Sequence, residues 1–267
     1  MYLAMDEIGF ENAEKIKKIP KEADRWQFIY DTAKSYGFEG IHFTPSLYKD
    51  FSLDLANIPD FFQDFTLTFH FGGVHSLVSE ADFAAIDKDL RAAFEIARKH
   101  NMHDISIHPP YIHKLTGDDK RKCHSLFRQA VEGWLEMMSG SGISLTLETH
   151  VSVEYFLFNG LAEYGSFVDS FPDLGVLIDL SHNYYDGYGE EEIISHLGNK
   201  NVKGLHISDA LQNVDFAKGT HLPVGHGTID FAKLLTAFAQ IPNLYCALEI
   251  KGKNEDILKS IEVLKKC

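Results

Sequence analysis

The sequence predicts an α/β protein, a single closed (β/α)8 barrel of the TIM type over residues 1–267. Three observations carry that prediction. Short apolar runs rich in Val, Ile, Leu, Phe and Thr alternate with longer stretches of helical spacing, and the pattern recurs eight times. Alternating βα units with apolar strands make parallel sheets. No linker, low-complexity segment or break in composition interrupts the 267 residues, a length that single α/β barrels reach. An open doubly wound sheet is the competing architecture. It usually carries a glycine-rich fingerprint after its first strand, and this chain has none there.

The elements follow in order. The first strand is the weak run YLAM (2–5), and a helix over 22–36 ends at Gly37. The second strand is GIHFT (40–44), followed by a short helix over 53–63. The third is TLTFHF (66–71). In the helix after it, over 80–100, Phe83, Ile86, Leu90, Ala93 and Ala97 share one face. The fourth strand is DISIH (104–108), stopped by Pro109 and Pro110, with a helix over 118–139. The fifth is ISLTLET (143–149), with a helix over 153–170. The sixth is GVLIDL (175–180), with a helix over 190–198. The seventh is VKGLHIS (202–208), then a long loop, 209–228, and a helix over 230–240. The eighth is LYCALEI (244–250), and the last helix runs over 254–265.

Composition narrows the function. A formal charge of −14 from 25 basic and 39 acidic residues argues against a polyanion partner, and no Lys/Arg cluster makes a basic footprint. No apolar run approaches the roughly 20 residues that span a membrane. The N-terminus lacks the pattern of a secretory signal, so the expected compartment is the cytoplasm. Cys123, Cys246 and Cys267 are scattered and outside any CxxC spacing, which predicts reduced thiols.

In a barrel, active sites gather at the C-terminal ends of the strands. There the sequence places His70 on the third strand, His108 on the fourth, Glu148 on the fifth, Asp179 on the sixth with His182 just beyond, His206 on the seventh and Glu249 on the eighth. A lone histidine or glutamate at such a position is ordinarily a hydrogen-bonded structural group. Glu148, Asp179 and Glu249 together are different, because three anions in a small space repel unless a cation neutralises them or their pKa values rise. Mixed carboxylate and imidazole donors suit Zn²⁺, Mn²⁺, Fe²⁺ or Co²⁺ better than Ca²⁺. His75, His113, His150 and His221 fall near the expected rim. His100, His103, His124 and His196 fall at helix ends or faces and are expected to be solvated.

The segments LTLETH, IDLSH, LHISD, HLPVGHGTIDF and LEIKG resemble those of the xylose-isomerase-like TIM barrel superfamily, which holds sugar isomerases, sugar epimerases and endonuclease IV-type AP endonucleases. The resemblance implies one divalent metal, Mn²⁺ or Zn²⁺ first, on Glu148, Asp179, His206 and Glu249. From the endonuclease branch it implies a second ion at His70, His108 and Glu148. That branch has a third metal site, using the His that matches His182 and an Asp-x-His pair. Here the pair reads Gly219-Thr220-His221, without its Asp. The loop 209–228 also lacks the Arg common in the epimerases, and the usual Gly-Glu-Gly is Gly225-His226-Gly227.

Three readings follow. In the first, the chain is a metal-dependent isomerase or epimerase of a small sugar or sugar phosphate. Glu148 and Glu249 transfer the proton, and His70, His108, His182 and His221 hold substrate. Lys203, Lys218 or Lys251 could meet a phosphate, although surface lysines are ordinarily only solvated. In the second, the chain is a two-metal phosphoesterase. In the third, the barrel is a binding module without catalysis, which the complete ligand quartet disfavours. Barrels of this kind often pair through outer helices, so a homo-oligomer is compatible with the chain.

Overall fold

The computed structural model describes residues 1–6, 8–72, 77–111, 117–152 and 156–267. Eight parallel strands close into a barrel in chain order: β1 (Tyr2–Met5), β2 (Gly40–Phe43), β3 (Thr66–Gly72), β4 (Asp104–Ile107), β5 (Ser144–Glu148), β6 (Gly175–Asp179), β7 (Val202–Ile207) and β8 (Tyr245–Leu248). The weak first strand closes the ring by pairing with both β2 and β8. The outer layer holds α1 (Phe10–Lys18), α2 (Glu22–Tyr36), α3 (Pro45–Asp50), α4 (Glu80–Lys99), α5 (Gly117–Met138), α6 (Leu161–Val168), α7 (Leu180–Tyr185), α8 (Glu190–Leu197), α9 (Phe216–Gly219), α10 (Phe231–Phe238) and α11 (Asn254–Leu264).

Successive side chains of a strand point to opposite faces. One set, including Ile41, Phe43, Leu67, Phe69, Ile105, Ile107, Leu145, Leu147, Leu205 and Ile207, joins the main apolar core. The alternate set is polar and buried: His42, Thr68, His70, Ser106, Thr146, Glu148, Asp179 and His206. Among the described residues, a small apolar cluster of Ala4, Leu177, Tyr245 and Ala247 stands apart from the main core. These strands are therefore not apolar on both faces, and their alternation is what delivers polar groups to the barrel interior. Gly204 makes room there, since a Cβ would overlap the ring of Tyr245 on the neighbouring strand.

Several elements differ from the sequence expectation. The helix expected over 53–63 is two 3₁₀ turns, Leu55–Asn57 and Asp60–Asp64, with a true helix, α3, before them. Pro59 lies between the turns and disfavours a helical residue ahead of it. The helix expected over 153–170 begins at Leu161; residues 153–155 lie outside the described residues, as do His75 and His113. His100 is buried rather than solvated, with Nε2 3.2 Å from Ala56 O, because the end of α4 packs on the first 3₁₀ turn.

Candidate metal centre

Asp179 closes β6 and also caps α7. Its Oδ1 accepts from the His182 amide at 2.8 Å and the Ser181 hydroxyl at 3.0 Å, which fixes the carboxylate. The other oxygen, Oδ2, turns into the barrel, 3.9 Å from His206 Nδ1 and 3.2 Å from His182 Nδ1. Asp179 and His206 are register partners on β6 and β7. Thr149 ties the next strand in, its hydroxyl accepting from the Asp179 amide at 2.9 Å and from Asn183 Nδ2 at 2.7 Å.

Glu148 Oε1 lies 3.4 Å from His206 Nδ1, and Glu249 Oε2 lies 2.9 Å from the same nitrogen. Donor atoms of Glu148, Asp179, His206 and Glu249 all fall within 4.8 Å of one another. Two further groups adjoin this quartet. His70, His108 and Glu148 form one, with His70 Nε2 3.2 Å and His108 Nε2 3.1 Å from Glu148 Oε2. Asp179, His182 and His221 form the other, with the two imidazole Nε2 atoms 3.2 Å apart. Glu148 and Asp179 are each shared between two groups.

His221 is brought in by backbone that its sequence does not announce. It adopts a left-handed φ of 53°, and its carbonyl accepts from the Lys251 amide just past β8. The loop around it hangs on Asp209, whose carboxylate accepts from the amides of Ala210, Gly225, Gly227 and Ile229 at 2.9–3.2 Å. This accounts for Gly227, where a Cβ would overlap Ala210 O and the Asp209 carboxylate. Lys203 does not join the site. It is the second residue of β7 and lines a cavity at the opposite end of the barrel, where that strand begins.

The donors fit a cation. Buried polar atoms are nearly always hydrogen-bonded. Here Glu148 Oε2, Asp179 Oδ2, His182 Nδ1, His206 Nδ1, His221 Nδ1 and Glu249 Oε2 are buried and close to one another yet make no well-aligned hydrogen bond, and they fall into overlapping groups of donors. A divalent cation is the group that can take the lone pairs of Glu148, Asp179, His206 and Glu249 at once. Glu148, Asp179 and His206 are sealed from solvent, so the site opens past His108 and Glu249, whose side chains are 24% and 18% exposed.

Without a cation the imidazoles carry the balancing charge. Burial works against charge on His206, yet Glu148 and Glu249 raise its pKa well above the usual imidazole range. Burial would raise both glutamates, but His206 and His108 hold Glu148 well below the usual carboxylate range, and His221 and His206 do the same for Glu249. Burial, with Glu249 adding, pushes Asp179 up to about 7. Burial and then His221 push His182 down to about 3. A metal ion must displace the His206 proton, so its binding releases protons and strengthens as pH rises.

Two further histidines pack their rings against this centre: His42, which the pattern of strand ends does not mark, and His150, expected at the rim. His42 lies mid-strand on β2, its ring stacked 5.2 Å from that of His70. His150 lies between His182, at 4.6 Å, and His108, at 5.2 Å. Burial, then His182, holds the His150 pKa well below the ordinary value. The signal for His42 was present, since Ile41-His42-Phe43 alternates as Phe69-His70-Phe71 does.

A family model described as xylose isomerase-like TIM barrel matches residues 30–267. Comparison with curated proteins finds no match. Among solved structures, a D-tagatose 3-epimerase-like protein matches with a TM-score of 0.75 at 18% identity, covering 100% of this chain and 96% of its own. The IOLI protein solved with a binding zinc atom matches with a TM-score of 0.70 at 16% identity, again over 100% and 96%. A family 2 AP endonuclease from Brucella melitensis matches with a TM-score of 0.73 at 14% identity, over 97% of both chains. At these identities the likeness shows the fold.

Proposed function

This chain belongs to the xylose isomerase-like TIM barrel family, and from that premise we propose that it is a divalent-metal-dependent isomerase or epimerase of a small sugar or sugar-like hydroxy-carbonyl compound. One observation carries the reading: unpartnered buried atoms of Asp179, His206 and Glu249 converge with the Glu148 carboxylate, and two glutamates flank one imidazole nitrogen. The epimerase-like and zinc-containing neighbours support it.

A cation held by Glu148, Asp179, His206 and Glu249, Mn²⁺ or Zn²⁺ by the donor set, supplies positive charge that lowers the cost of negative charge on a substrate carbonyl oxygen. The remaining chemistry belongs to the side chains. Glu148 and Glu249 are held ionised, the form that accepts a proton from the carbon beside the carbonyl. One carboxylate takes that proton. The other, which first takes up a proton from solvent through the opening beside His108, delivers it to the neighbouring carbon or to the opposite face of the same carbon, and the first then releases its proton to solvent. His70, His108, His182 and His221 hold the substrate hydroxyls, with His108 nearest the opening. The closed walls keep water from competing for the carbanion.

A two-metal phosphoesterase is the second reading. The group of His70, His108 and Glu148 favours it, because Glu148 is shared with the quartet. The net charge of −14 disfavours a DNA substrate. Elemental analysis of the purified protein separates the two: one tight ion per chain supports the isomerase, and two or more support the hydrolase. With the metal restored, ketoses and their phosphates are incubated in D₂O. Solvent deuterium should enter one carbon-bound position of a single compound, and Glu148→Gln should abolish that exchange. Cleavage of a phosphodiester with no exchange into any ketose would overturn the isomerase reading.

A further inference from the structure

His42, His70 and His206 form one more group close enough to hold an ion, and β2 supplies none of the ligands assigned above. Both nitrogens of His42, however, are already engaged. Nδ1 lies 2.7 Å from Thr68 Oγ1, its register partner on β3, and Nε2 lies 3.1 Å from His206 Nε2. The ring is fixed by its neighbours: flat on His70 at 5.2 Å, edge-on to His206 at 5.1 Å and tilted against Tyr245 at 5.4 Å.

We infer that His42 is a positioning residue: it accepts the Nε2–H of His206, donates its own Nδ1–H to Thr68, and so leaves the His206 Nδ1 lone pair free for a cation. This rests on the reading of the quartet as a metal site.

Two imidazole nitrogens 3.1 Å apart share one proton. If His42 supplied it, a neutral His206 would carry its hydrogen on Nδ1, aimed at Glu148 and Glu249, and could not ligate. If His206 supplies it, Nδ1 is bare and points at the converging carboxylates. A metal-bound imidazole needs an acceptor for its other N–H, and in most metal sites that is a carboxylate or a carbonyl. Here His206 is wholly buried, and the acceptor is a second imidazole relayed to a threonine hydroxyl. The same face of β2 continues past the strand end with Thr44. Its hydroxyl donates to Asp6 at 2.6 Å and lies 3.5 Å from His70 Nδ1, the far side of the ring that faces Glu148. The second strand therefore backs two metal-facing imidazoles without ligating itself. A neutral backing group suits this site: a carboxylate behind His206 would add a fourth anion to Glu148, Asp179 and Glu249.

The test has two arms. In the first, ¹⁵N imidazole NMR of the wild-type protein should show coupling between the Nε2 atoms of His42 and His206 across their hydrogen bond. With Zn²⁺ bound, the proton should sit on His206 Nε2 and His42 should be the Nδ1–H tautomer. In the second, Co²⁺ is titrated by its visible absorption. His42→Phe keeps the ring and removes the acceptor, and it should weaken Co²⁺ binding roughly 10–100-fold. His42→Gln restores an acceptor and should recover most of the affinity. If His42→Phe does not fold, Thr68→Val replaces it, and a several-fold loss is expected because His42 loses its own acceptor. Absence of the coupling, or wild-type affinity and spectrum in the folded variant, overturns the inference while the metal reading stands. A wild-type protein that takes up no Co²⁺ overturns both.

Discussion

At the C-terminal end of the barrel Asp179 turns one oxygen to a helix cap and the other toward imidazoles. At the N-terminal end Asp104, first residue of β4, turns Oδ2 toward two hydroxyls, Tyr245 Oη and Thr146 Oγ1, each at 2.8 Å. Both carboxyl groups are buried, and burial pushes both up to about 7. The lower end even has a cavity of about 430 Å³, lined by Asp104, Thr68, Lys203 and Tyr245 among others. What separates the ends is the company each acid keeps. Hydroxyls donate to Asp104 and leave only its Oδ1 and the nearby Ser106 Oγ without a partner, whereas the upper end gathers orphaned atoms of five side chains around Asp179. A buried acid with a raised pKa does not by itself define a reactive site. Converging, unsatisfied donors of both chemical types are what support the reading of the upper end as the site.

The largest effect should come from breaking the upper end. Glu249→Gln should cut proton exchange into substrate by roughly 10²–10⁴, about 3–5 kcal/mol of barrier, measured as deuterium incorporation with metal saturating. A variant within tenfold of wild type would remove Glu249 from the proton path. The next effect belongs to the lower end. Asp104 titrates near 3.9 when unfolded and about 7 when folded, so folding takes up a proton between those values. Its contribution is whole below pH 4 and is lost as pH rises through 7, up to about 4 kcal/mol in total. Asp104→Asn should remove this slope, so that denaturant unfolding from pH 4 to 8 loses less stability than the wild type does. An unchanged slope would mean that Asp104 ionises freely and that the contrast between the ends is false.

Much of this was legible in the sequence. The βα alternation predicts the barrel, and polar residues closing apolar runs mark Glu148, Asp179, His206 and Glu249, which the structure gathers within reach of one ion. The rest hid for physical reasons. His42 occupies an inward position in mid-strand, so a reading of strand ends misses it. His221 was expected at the rim, but its pairing with His182 depends on a left-handed backbone that no side-chain pattern specifies. Residues 53–63 carry apolar groups, Leu53, Leu55, Ile58 and Phe62, that look helical but are buried by 3₁₀ turns broken at Pro59. In Asp179-Leu-Ser-His182 the cap was readable, since an Asp followed by two residues and a buried amide is an N-cap pattern, yet the short α7 gave no helical period to prompt it.

Metal should sharpen the same comparison. Mn²⁺ at a hundred times its Kd should raise the unfolding free energy by about 3 kcal/mol, and Asp104→Asn should leave that increment intact. An increment that disappears in this variant would place the ion at the lower end.

The smallest effect probes whether the two ends communicate through β5. Thr146 lies two residues before Glu148 on that strand, and its hydroxyl donates to Asp104. Thr146→Val keeps the shape and removes one of the two donors on Oδ2, which should destabilise the protein by about 1 kcal/mol. The loss should depend on pH. The hydroxyl favours the charged carboxylate and lowers its pKa, so without it the Asp104 value climbs further. The variant should therefore lie close to wild type near pH 4 and fall furthest behind above pH 7. Mn²⁺ affinity should not change, because the donor removed faces away from Glu148 toward the barrel floor. A drop in affinity would mean that strain at the lower acid reaches the upper carboxylate along one strand, and the ends would then have to be treated as a single polar network.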